Sequence, residues 1–147
     1  MSQFVCPACA AANRVPRDRP ARAARCGKCH GPLFSGHPVE VSGAQLARHR
    51  EATKGGALLL DVWAPWCGPC RSMAPNFAAA AGRLEPEVRL LKLNSEAEPE
   101  AAQALGVSSI PALSLLRDGQ VIARTAGLMS ADQIVAWTRQ ALAAKAA

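Results

Sequence analysis

The sequence contains no long hydrophobic run, and none of its apolar stretches approaches the ~20 residues that a helix needs to cross a membrane. Its first 20 residues also lack the basic segment and the apolar stretch of a secretory signal peptide. The six cysteines are too few for a disulfide-dense secreted scaffold. We therefore expect a protein of the reducing cytoplasm, where paired cysteines are metal ligands or redox catalysts more often than structural disulfides.

The chain of 147 residues divides into two parts of different composition. Residues 1–37 hold four cysteines and five arginines but few large apolar side chains, so this segment cannot build a hydrophobic core of its own. From residue 38 onwards, apolar runs alternate with polar turn signals. Half of all residues are hydrophobic and 19% are charged, which favours a folded domain over disorder. We predict a small extension at 1–37 and one domain at 38–147.

The four cysteines of the extension have the spacing of zinc ligands. Cys6 and Cys9 form one Cys-x2-Cys pair, and Cys26 and Cys29 form a second pair 16 residues later. Four thiolates at this spacing are typical of a closed, tetrahedral structural zinc site. Zinc would stabilise a segment without a core, and Gly27 is expected to let the second pair turn tightly. Two disulfides or free thiols are the alternatives, and the neighbouring histidine at position 30 is a substitute ligand.

Most of the positive charge lies in the same part of the chain. Residues 1–40 hold six basic and two acidic residues, whereas the whole chain has a net charge of +6. Four thiolates and one zinc ion together carry a charge of about −2, so the metallated segment is only mildly basic. No aromatic residue lies between the arginines of residues 14–25 to stack on bases. We expect a solvated loop there and no nucleic-acid partner.

Residues 38–147 predict an α/β domain. Ser42 and Gln45 have the spacing of a helix capping box, and Asp118-Gly119 between two apolar runs is a strong hairpin signal. The predicted strands are 38–41, 57–63, 87–93 (with alternating burial), 112–117 and 121–126, and the predicted helices, with their caps, are 42–54, 67–83, 98–105 and 130–144. Strands that alternate with helices imply parallel pairing, to which the hairpin adds an antiparallel pair. The predicted architecture is a mixed sheet with helices on both faces.

A further cysteine pair stands where a buried strand gives way to a helix, in the sequence Trp66-Cys67-Gly68-Pro69-Cys70. In this context a Cys-x2-Cys pair indicates redox chemistry. The free N–H groups and the dipole of the helix N-terminus stabilise an anion, so the pKa of Cys67 should fall and Cys67 should be the nucleophile. Cys70, one turn further in and more shielded, is the expected resolving thiol. Buried structural cysteines or half of a metal site are the alternatives, although residues 38–147 contain no second pair for a metal.

Over about residues 38–147 the chain resembles the thioredoxin family. Residues 61–71, Asp-Val-Trp-Ala-Pro-Trp-Cys-Gly-Pro-Cys-Arg, are similar to the active-site signature of that family. Residues 109–111, Ser-Ile-Pro, resemble its cis-proline loop, Gly127 resembles a glycine near the site, and residues 92–94 resemble the end of its central strand. The cysteine-containing extension is similar to that of a bacterial subtype, thioredoxin 2. The implied fold is the thioredoxin fold, a mixed central sheet flanked by helices, with a small N-terminal zinc ribbon.

The resemblance implies a protein-disulfide reductase that works through its redox-active disulfide, with structural zinc and no organic cofactor. Its implied partners are protein disulfides and an NADPH-dependent flavoprotein reductase. It also implies that Asp61 accepts the proton of Cys70 and that Lys92 modulates this transfer. Burial in an apolar strand should in any case raise the pKa of Asp61. The residues implied in substrate contacts are Trp66, Gly68, Pro69, Ile110, Pro111 and Gly127, with a cis peptide bond before Pro111.

Two other hypotheses for the whole chain stay open at this stage. In one, the ribbon is a module that binds a nucleic acid or a protein, and the redox domain is an accessory sensor. In the other, the ribbon is a redox switch that releases zinc on oxidation. Two single residues also have alternatives: for Asp61 a strand-end residue bonded to backbone, and for Lys92 a plain surface lysine.

Overall fold

The computed structural model describes residues 1–146 as seven strands, four helices and one short 3₁₀ turn. The strands are β1 (Ser2–Val5), β2 (Ala12–Val15), β3 (Val39–Glu40), β4 (Ala57–Trp63), β5 (Val88–Asn94), β6 (Ala112–Arg117) and β7 (Gln120–Ala126). The helices are α1 (Gly43–Ala52), α2 (Gly68–Leu84), α3 (Pro99–Ala104) and α4 (Ala131–Ala146). Within residues 1–146, no helix combines the length and the apolar character that crossing a bilayer requires.

Strands β3 to β7 form one mixed sheet in the order β3-β5-β4-β6-β7. β3, β5 and β4 run parallel to one another, and β6 and β7 are antiparallel to their neighbours. The prediction of a mixed sheet is confirmed, and the predicted elements agree with the observed ones to within two residues at each end. The active-site strand β4 lies at the centre of this sheet.

Helices cover both faces of the sheet, as predicted. On one face, α2 and α4 contribute Met73, Phe77 and Ile134 to a core that includes Leu59 and Leu90. On the other face, α1 and α3 pack against a second core, which includes Leu46, Leu58, Leu60, Leu91 and Ala102. Because side chains alternate along a strand, Leu59 and Asp61 of β4 both point to the face that α2 covers.

Strand β5 differs from its prediction. The alternation of charged and apolar residues predicted one buried and one exposed face, but the first four residues of β5 are all buried. β5 lies between β3 and β4, with helices above and below, so both of its faces are covered. Arg89 is therefore 1% exposed, and the charge pattern of the sequence gave no sign of this burial.

Local signals in the sequence fix several element ends. Ser42 Oγ accepts the N–H of Gln45, and the Gln45 side chain accepts the N–H of Ser42, which completes the predicted capping box. Ser130 caps α4 in the same way with Gln133. Asp118 and Gly119 both adopt positive φ, of 50° and 81°, as a two-residue hairpin turn requires.

The N-terminal segment contains a hairpin and a small apolar cluster that the sequence did not predict. β1 pairs antiparallel with β2, so Ser2 lies opposite Val15. Phe4 and Phe34 are fully buried and meet edge to face, with ring centroids 5.2 Å apart. The cluster also contains Cys6, Val15, Cys26 and Leu33. These few apolar residues are buried because the segment folds against the sheet domain as well as on itself.

Backbone and side-chain contacts attach this segment to the domain at several places. Gln3 and Lys54 exchange two backbone hydrogen bonds, of 2.7 and 3.0 Å. The Arg89 side chain donates to the carbonyl oxygen of Val5 at 3.1 Å and lies 4.5 Å from the ring centroid of Phe34. The N–H of Gly36 donates to the Glu85 carboxylate at 2.9 Å. The segment is thus packed against the end of α1, β5 and the end of α2.

Replacing Gly56 with alanine is expected to lower the free energy of unfolding by about 1–3 kcal/mol. Gly56 is buried, and a methyl group there would overlap the ring of Phe4. Gly82→Ala is the matched control, since Gly82 lies exposed in α2 with open space around its Cβ position. That change should stabilise the protein by about 0.5–1 kcal/mol. Urea unfolding measures both, and two variants of equal stability would contradict the packing of Phe4 on Gly56.

Candidate active site and metal centre

The N-terminus of α2 holds the first pair of functional side chains. Cys67 is the N-cap residue of this helix, and the backbone N–H of Cys70 points at Cys67 Sγ from 3.2 Å. The two cysteines form a disulfide, with their Cα atoms 5.2 Å apart. Gly68 and Pro69 occupy the first turn, where the missing N–H of proline costs no hydrogen bond. The same N–H groups that approach Sγ here would stabilise a thiolate in the reduced form.

Cys67 and Cys70 differ less in solvent exposure than the sequence predicted. Cys67 is 5% exposed and Cys70 is 3% exposed, so the predicted stronger shielding of Cys70 is slight in the oxidised protein. Trp63 and Ile110 pack against the apolar cluster that contains both cysteines. Next to it, Trp66 is 67% exposed, and Gly68 and Pro69 are exposed as well. These three residues form an exposed rim beside the disulfide.

A loop from another part of the chain faces the disulfide. The peptide bond between Ile110 and Pro111 is cis, as the resemblance implied. The carbonyl oxygen of Ile110 lies 3.9 Å from Cys67 Sγ. Gly127, with φ of 102°, donates its N–H to the carbonyl oxygen of Pro111 at 2.8 Å. The structure thus brings Cys67, Ile110, Pro111 and Gly127 together from α2 and the two ends of the β6–β7 hairpin.

Asp61 lies inside the domain, on the face of the sheet beneath α2. It is 1% exposed, and neither oxygen of its carboxylate has a hydrogen-bond partner among the described residues. The alternative of a strand-end carboxylate bonded to backbone is therefore not supported. Burial raises the pKa of Asp61 to about 7, opposed by the positive charge of Lys92 and assisted by the negative charge of Glu40. The expected direction of the shift is confirmed.

Lys92 lies beside Asp61 in the sheet. The two residues are register partners on β5 and β4, and the Lys92 ammonium is 4.7 Å from the centroid of the Trp63 ring. Lys92 is half-buried rather than a freely solvated surface lysine. It therefore holds a positive charge close to the buried carboxylate of Asp61.

The sequence did not indicate two residues that lie near the site, Glu40 and Leu128. Glu40 on β3 accepts a hydrogen bond from the indole Nε1 of Trp63 at 3.1 Å. Leu128 follows Gly127 and is 55% exposed, a large apolar side chain on the surface beside the loop. Leu128 has a weak signal in the sequence, because it adjoins a glycine of the site. No sequence pattern indicates Glu40, because its contact with Trp63 depends on which strands are neighbours in the sheet. That order cannot be derived from a strand of only two residues.

The four cysteines of the N-terminal segment meet in space. Their Sγ atoms all lie within 4.8 Å of one another. Cys6 and Cys29 are 3.6 Å apart at sulfur, and so are Cys9 and Cys26. A tetrahedral zinc ion with Zn–S bonds of about 2.3 Å would separate its sulfurs by about 3.8 Å. The cluster fits zinc, and with all four ligands from protein it is a structural site.

Hydrogen-bond donors around Cys26 favour its thiolate. The backbone N–H of Cys29 (3.5 Å), the side-chain amide of Asn13 (3.4 Å) and the N–H of Lys28 (3.4 Å) all approach Cys26 Sγ. The N–H of Cys29 makes the largest contribution, and together these donors lower the pKa of Cys26 to about 5. A metal ligand must be deprotonated, so these donors prepare the site for zinc.

The geometry of the two Cys-x2-Cys turns shows that the prediction for Gly27 is wrong. The tight turns place Ala10 and His30 at positive φ, of 67° and 65°, each just after the second cysteine of its pair. Their N–H groups donate to the carbonyl oxygens of Cys6 and Cys26 at 2.9 Å. Gly27 does not have positive φ, so the turn does not depend on it. His30 is not part of the group of metal-binding atoms, which consists of the four cysteines.

Comparison with known proteins agrees with this geometry. A family model described as Thioredoxin matches residues 43–140, and one described as Thioredoxin 2, N-terminal, matches residues 5–31. Thioredoxin C-3 of Corynebacterium nephridii is 36% identical over 139 residues, which cover 95% of this chain and 94% of that protein. A thioredoxin of Chlamydia muridarum is 42% identical over 85 residues, 58% of this chain and 82% of that protein.

Solved structures agree as well. Thioredoxin F from spinach chloroplasts superposes with a TM-score of 0.67 at 26% identity, covering 73% of this chain and 88% of that one. A variant of thioredoxin from Halobacterium salinarum superposes with a TM-score of 0.65 at 25% identity, covering 75% and 95%. The disulfide at the start of α2 and the cysteine cluster coincide with the two family matches. The chain therefore belongs to the thioredoxin family of thiol–disulfide oxidoreductases, and its N-terminal part is the zinc ribbon of the thioredoxin 2 type.

Proposed function

We propose that Cys67 is the attacking thiolate of a protein-disulfide reductase and that Cys70 is the resolving thiol. Cys67 sulfur bonds to one sulfur of a substrate disulfide, whose S–S bond breaks, and the other substrate sulfur leaves as a thiolate that takes up a proton. Cys70 then loses its proton and attacks Cys67 Sγ, which releases the second substrate thiolate. The single observation that carries the proposal is the N-cap position of Cys67, with the N–H of Cys70 directed at its sulfur.

Asp61 is proposed as the proton acceptor for Cys70 in the second step. A carboxyl group with a pKa of about 7 is half ionised near neutral pH, so it both accepts and returns a proton there. An ordinary exposed aspartate, with a pKa near 3.9, would be too weak a base for a thiol. Lys92 is proposed to modulate this transfer, since it supplies the positive charge beside Asp61.

The exposed rim is proposed to bind the substrate chain. Trp66, Gly68 and Pro69 line one side of the disulfide, and the loop with Ile110 and Pro111 lines the other, next to Gly127. The backbone of Ile110 in that loop is proposed to pair with an extended segment of substrate, as in β-strand addition. Such pairing would set one substrate sulfur in line with Cys67, because the loop carbonyl of Ile110 already lies 3.9 Å from Cys67 Sγ.

We further propose protein disulfides as substrates, an NADPH-dependent flavoprotein as the reductase, and the cytoplasm as the compartment. A cluster of four cysteines arranged for zinc supports a reducing compartment, because oxidising ones favour disulfides. We also propose residues 1–37 as the ribbon unit and residues 38–147 as the thioredoxin domain. The start of the five-stranded sheet at Val39 supports a boundary just after the ribbon.

Insulin reduction, coupled to NADPH through a bacterial thioredoxin reductase, tests the proposed roles. Cys67→Ser should abolish turnover, because serine is not ionised and is a poor nucleophile at neutral pH. Cys70→Ser should also stop turnover but should accumulate a mixed disulfide through Cys67, visible by mass spectrometry. Unfolding midpoints and zinc content of both variants should match the reduced wild type, which shows that the fold is intact. Full activity of Cys67→Ser would refute the proposal.

A further inference from the structure

A row of three charged residues crosses the sheet directly beneath the redox site. Glu40 on β3 is the register partner of Lys92 on β5, and Lys92 is the register partner of Asp61 on β4. Register partners on neighbouring parallel strands point to the same face, with the strands about 4.8 Å apart. Lys92 therefore stands between two carboxylates, and we call these three residues the charged row.

Trp63 ties the charged row to the disulfide. It lies two residues after Asp61, so its side chain is on the same face of the sheet. Its indole N–H donates to Glu40 at 3.1 Å, the Lys92 ammonium lies 4.7 Å from its ring, and its other contacts include the Cys67–Cys70 pair. Glu40 and Lys92 are thus both held against one indole ring rather than left free.

The groups that face Asp61 are few. The charged ones are Glu40 from β3 and Lys92 from β5, while its register partner on β6 is the apolar Leu113. The positive charge of Lys92 lowers the pKa of Asp61 and the negative charge of Glu40 raises it. Burial raises the pKa of Glu40, and the positive charge of Lys92 opposes that rise, so Lys92 acts on both carboxylates. Asp61 makes no hydrogen bond in the described part of the chain.

We propose that Glu40 is a positioning residue of the redox site, which holds Trp63 and Lys92 so that Lys92 is shared with Glu40 and does not pair fully with Asp61. A lysine paired with Asp61 alone would keep that carboxylate ionised well below neutral pH and make it a weak base. Shared between two carboxylates, Lys92 leaves Asp61 able to take up a proton near pH 7. The inference rests on the proposed role of Asp61 as proton acceptor for Cys70.

Glu40→Gln tests the inference, because the amide oxygen still accepts the indole N–H while the charge is removed. The readout is the pH titration of the Asp61 carboxyl by NMR in the oxidised, ¹³C-aspartate-labelled protein, in which Cys67 and Cys70 do not titrate. The midpoint should move to lower pH by about half a unit or more, since one nearby negative charge is lost and Lys92 is released towards Asp61. Glu40→Asp, which keeps the charge, should leave the midpoint closer to that of wild type.

Glu87→Gln is the matched control, because Glu87 is exposed at the opposite end of β5. It should leave the Asp61 midpoint unchanged. A midpoint in Glu40→Gln that equals that of Glu87→Gln, or that moves to higher pH, would overturn the inference. The shift in Glu40→Gln alone, with the conservative Glu40→Asp near wild type, would support it.

The pH profile of insulin reduction separates this inference from the proposed role of Asp61. With both correct, the inflection of the rate profile near neutral pH shifts in Glu40→Gln in parallel with the NMR midpoint and disappears in Asp61→Asn. A rate profile unchanged in Asp61→Asn would refute the role of Asp61. An NMR midpoint that still shifts in Glu40→Gln would then show that the charged row controls the carboxylate, although the carboxylate does not serve the reaction.

Discussion

Asp61→Asn is expected to stabilise the protein at pH 8 by about 2–4 kcal/mol and to have almost no effect on stability near pH 4. The pKa of Asp61 is about 7 in the folded protein and near 3.8 in the unfolded chain. Between these values the folded state binds a proton that the unfolded state does not, so stability falls as the pH rises from 4 to 7. Above pH 7 the full cost of the buried charge is present, and asparagine removes it.

Urea unfolding of the oxidised protein at pH 4, 6 and 8 measures this difference. The gain in Asp61→Asn should grow with pH between 4 and 7 and then level off. Asp118→Asn is the matched control, because Asp118 is exposed in a turn at positive φ, which asparagine also tolerates. Its stability curve should run parallel to that of wild type. A parallel curve for Asp61→Asn would show that Asp61 does not carry a buried charge.

The same substitution should slow disulfide exchange near pH 7 by about 10-fold or more, within the contribution that general bases make in enzymes. Asparagine cannot take the proton of Cys70, so the resolving step must rely on water. Turnover of insulin measures the loss, and burst kinetics locate it in the release of the mixed disulfide. Unchanged turnover at pH 7 would remove Asp61 from the mechanism. A variant that is more stable but slower is the signature of a residue kept for function at a cost in stability.

The order of the elements could be predicted because the signals for it are local. A capping box at Ser42, a second at Ser130 and the Asp118-Gly119 turn each act within four residues, and the structure has all three. The burial of β5 could not be predicted in this way. Its pattern of arginine and lysine between apolar residues also fits a half-exposed strand, and only its place between β3 and β4 covers both faces.

Residues of the candidate site could be predicted where their type and spacing are typical of one kind of site. The four cysteines of the cluster and the Cys67–Cys70 pair stand out by spacing alone, and a carboxylate in an apolar strand indicates Asp61. The contribution of Glu40 depends on which strands are neighbours, a fact of tertiary structure. The contact of Ile110 with the cluster that holds Cys67 and Cys70 is also tertiary, because Ile110 comes from a loop about forty residues further along the chain.

The packing of the ribbon could not be predicted from the sequence for the same reason, because it depends on tertiary structure. Phe4 and Phe34 lie far from Arg89 in sequence, and the three side chains meet only in the folded protein. Composition alone predicts a segment that depends entirely on zinc. In the structure it depends on zinc and on this shared interface, since its two phenylalanines are buried partly against the arginine of β5.

Arg89→Ala is expected to lower the free energy of unfolding by about 3–5 kcal/mol, among the largest effects of any single substitution in this chain. The change removes a desolvated cation–π contact with Phe34, takes the hydrogen-bond donor from the carbonyl oxygen of Val5, and opens a cavity. Burial lowers the pKa of Arg89 to about 10, so the side chain is still charged at neutral pH. Arg14→Ala, at an exposed position of β2, should change stability by less than about 0.5 kcal/mol.

Removing zinc then tests whether Arg89 couples the stability of the ribbon to that of the thioredoxin domain. In wild type, a chelator strong enough to strip the four cysteines should unfold the ribbon, and the unfolding midpoint of the thioredoxin domain should fall because Phe34 and Val5 leave Arg89 buried without its partners. In Arg89→Ala the same treatment should lower that midpoint by less, with a coupling of about 1 kcal/mol or more in the double cycle. Equal losses in the two proteins would mean that the ribbon stabilises the domain through its other contacts, such as the Gln3–Lys54 backbone pair. Because Arg89 and Lys92 belong to the same strand, a ribbon that holds Arg89 also supports the strand that carries one residue of the charged row.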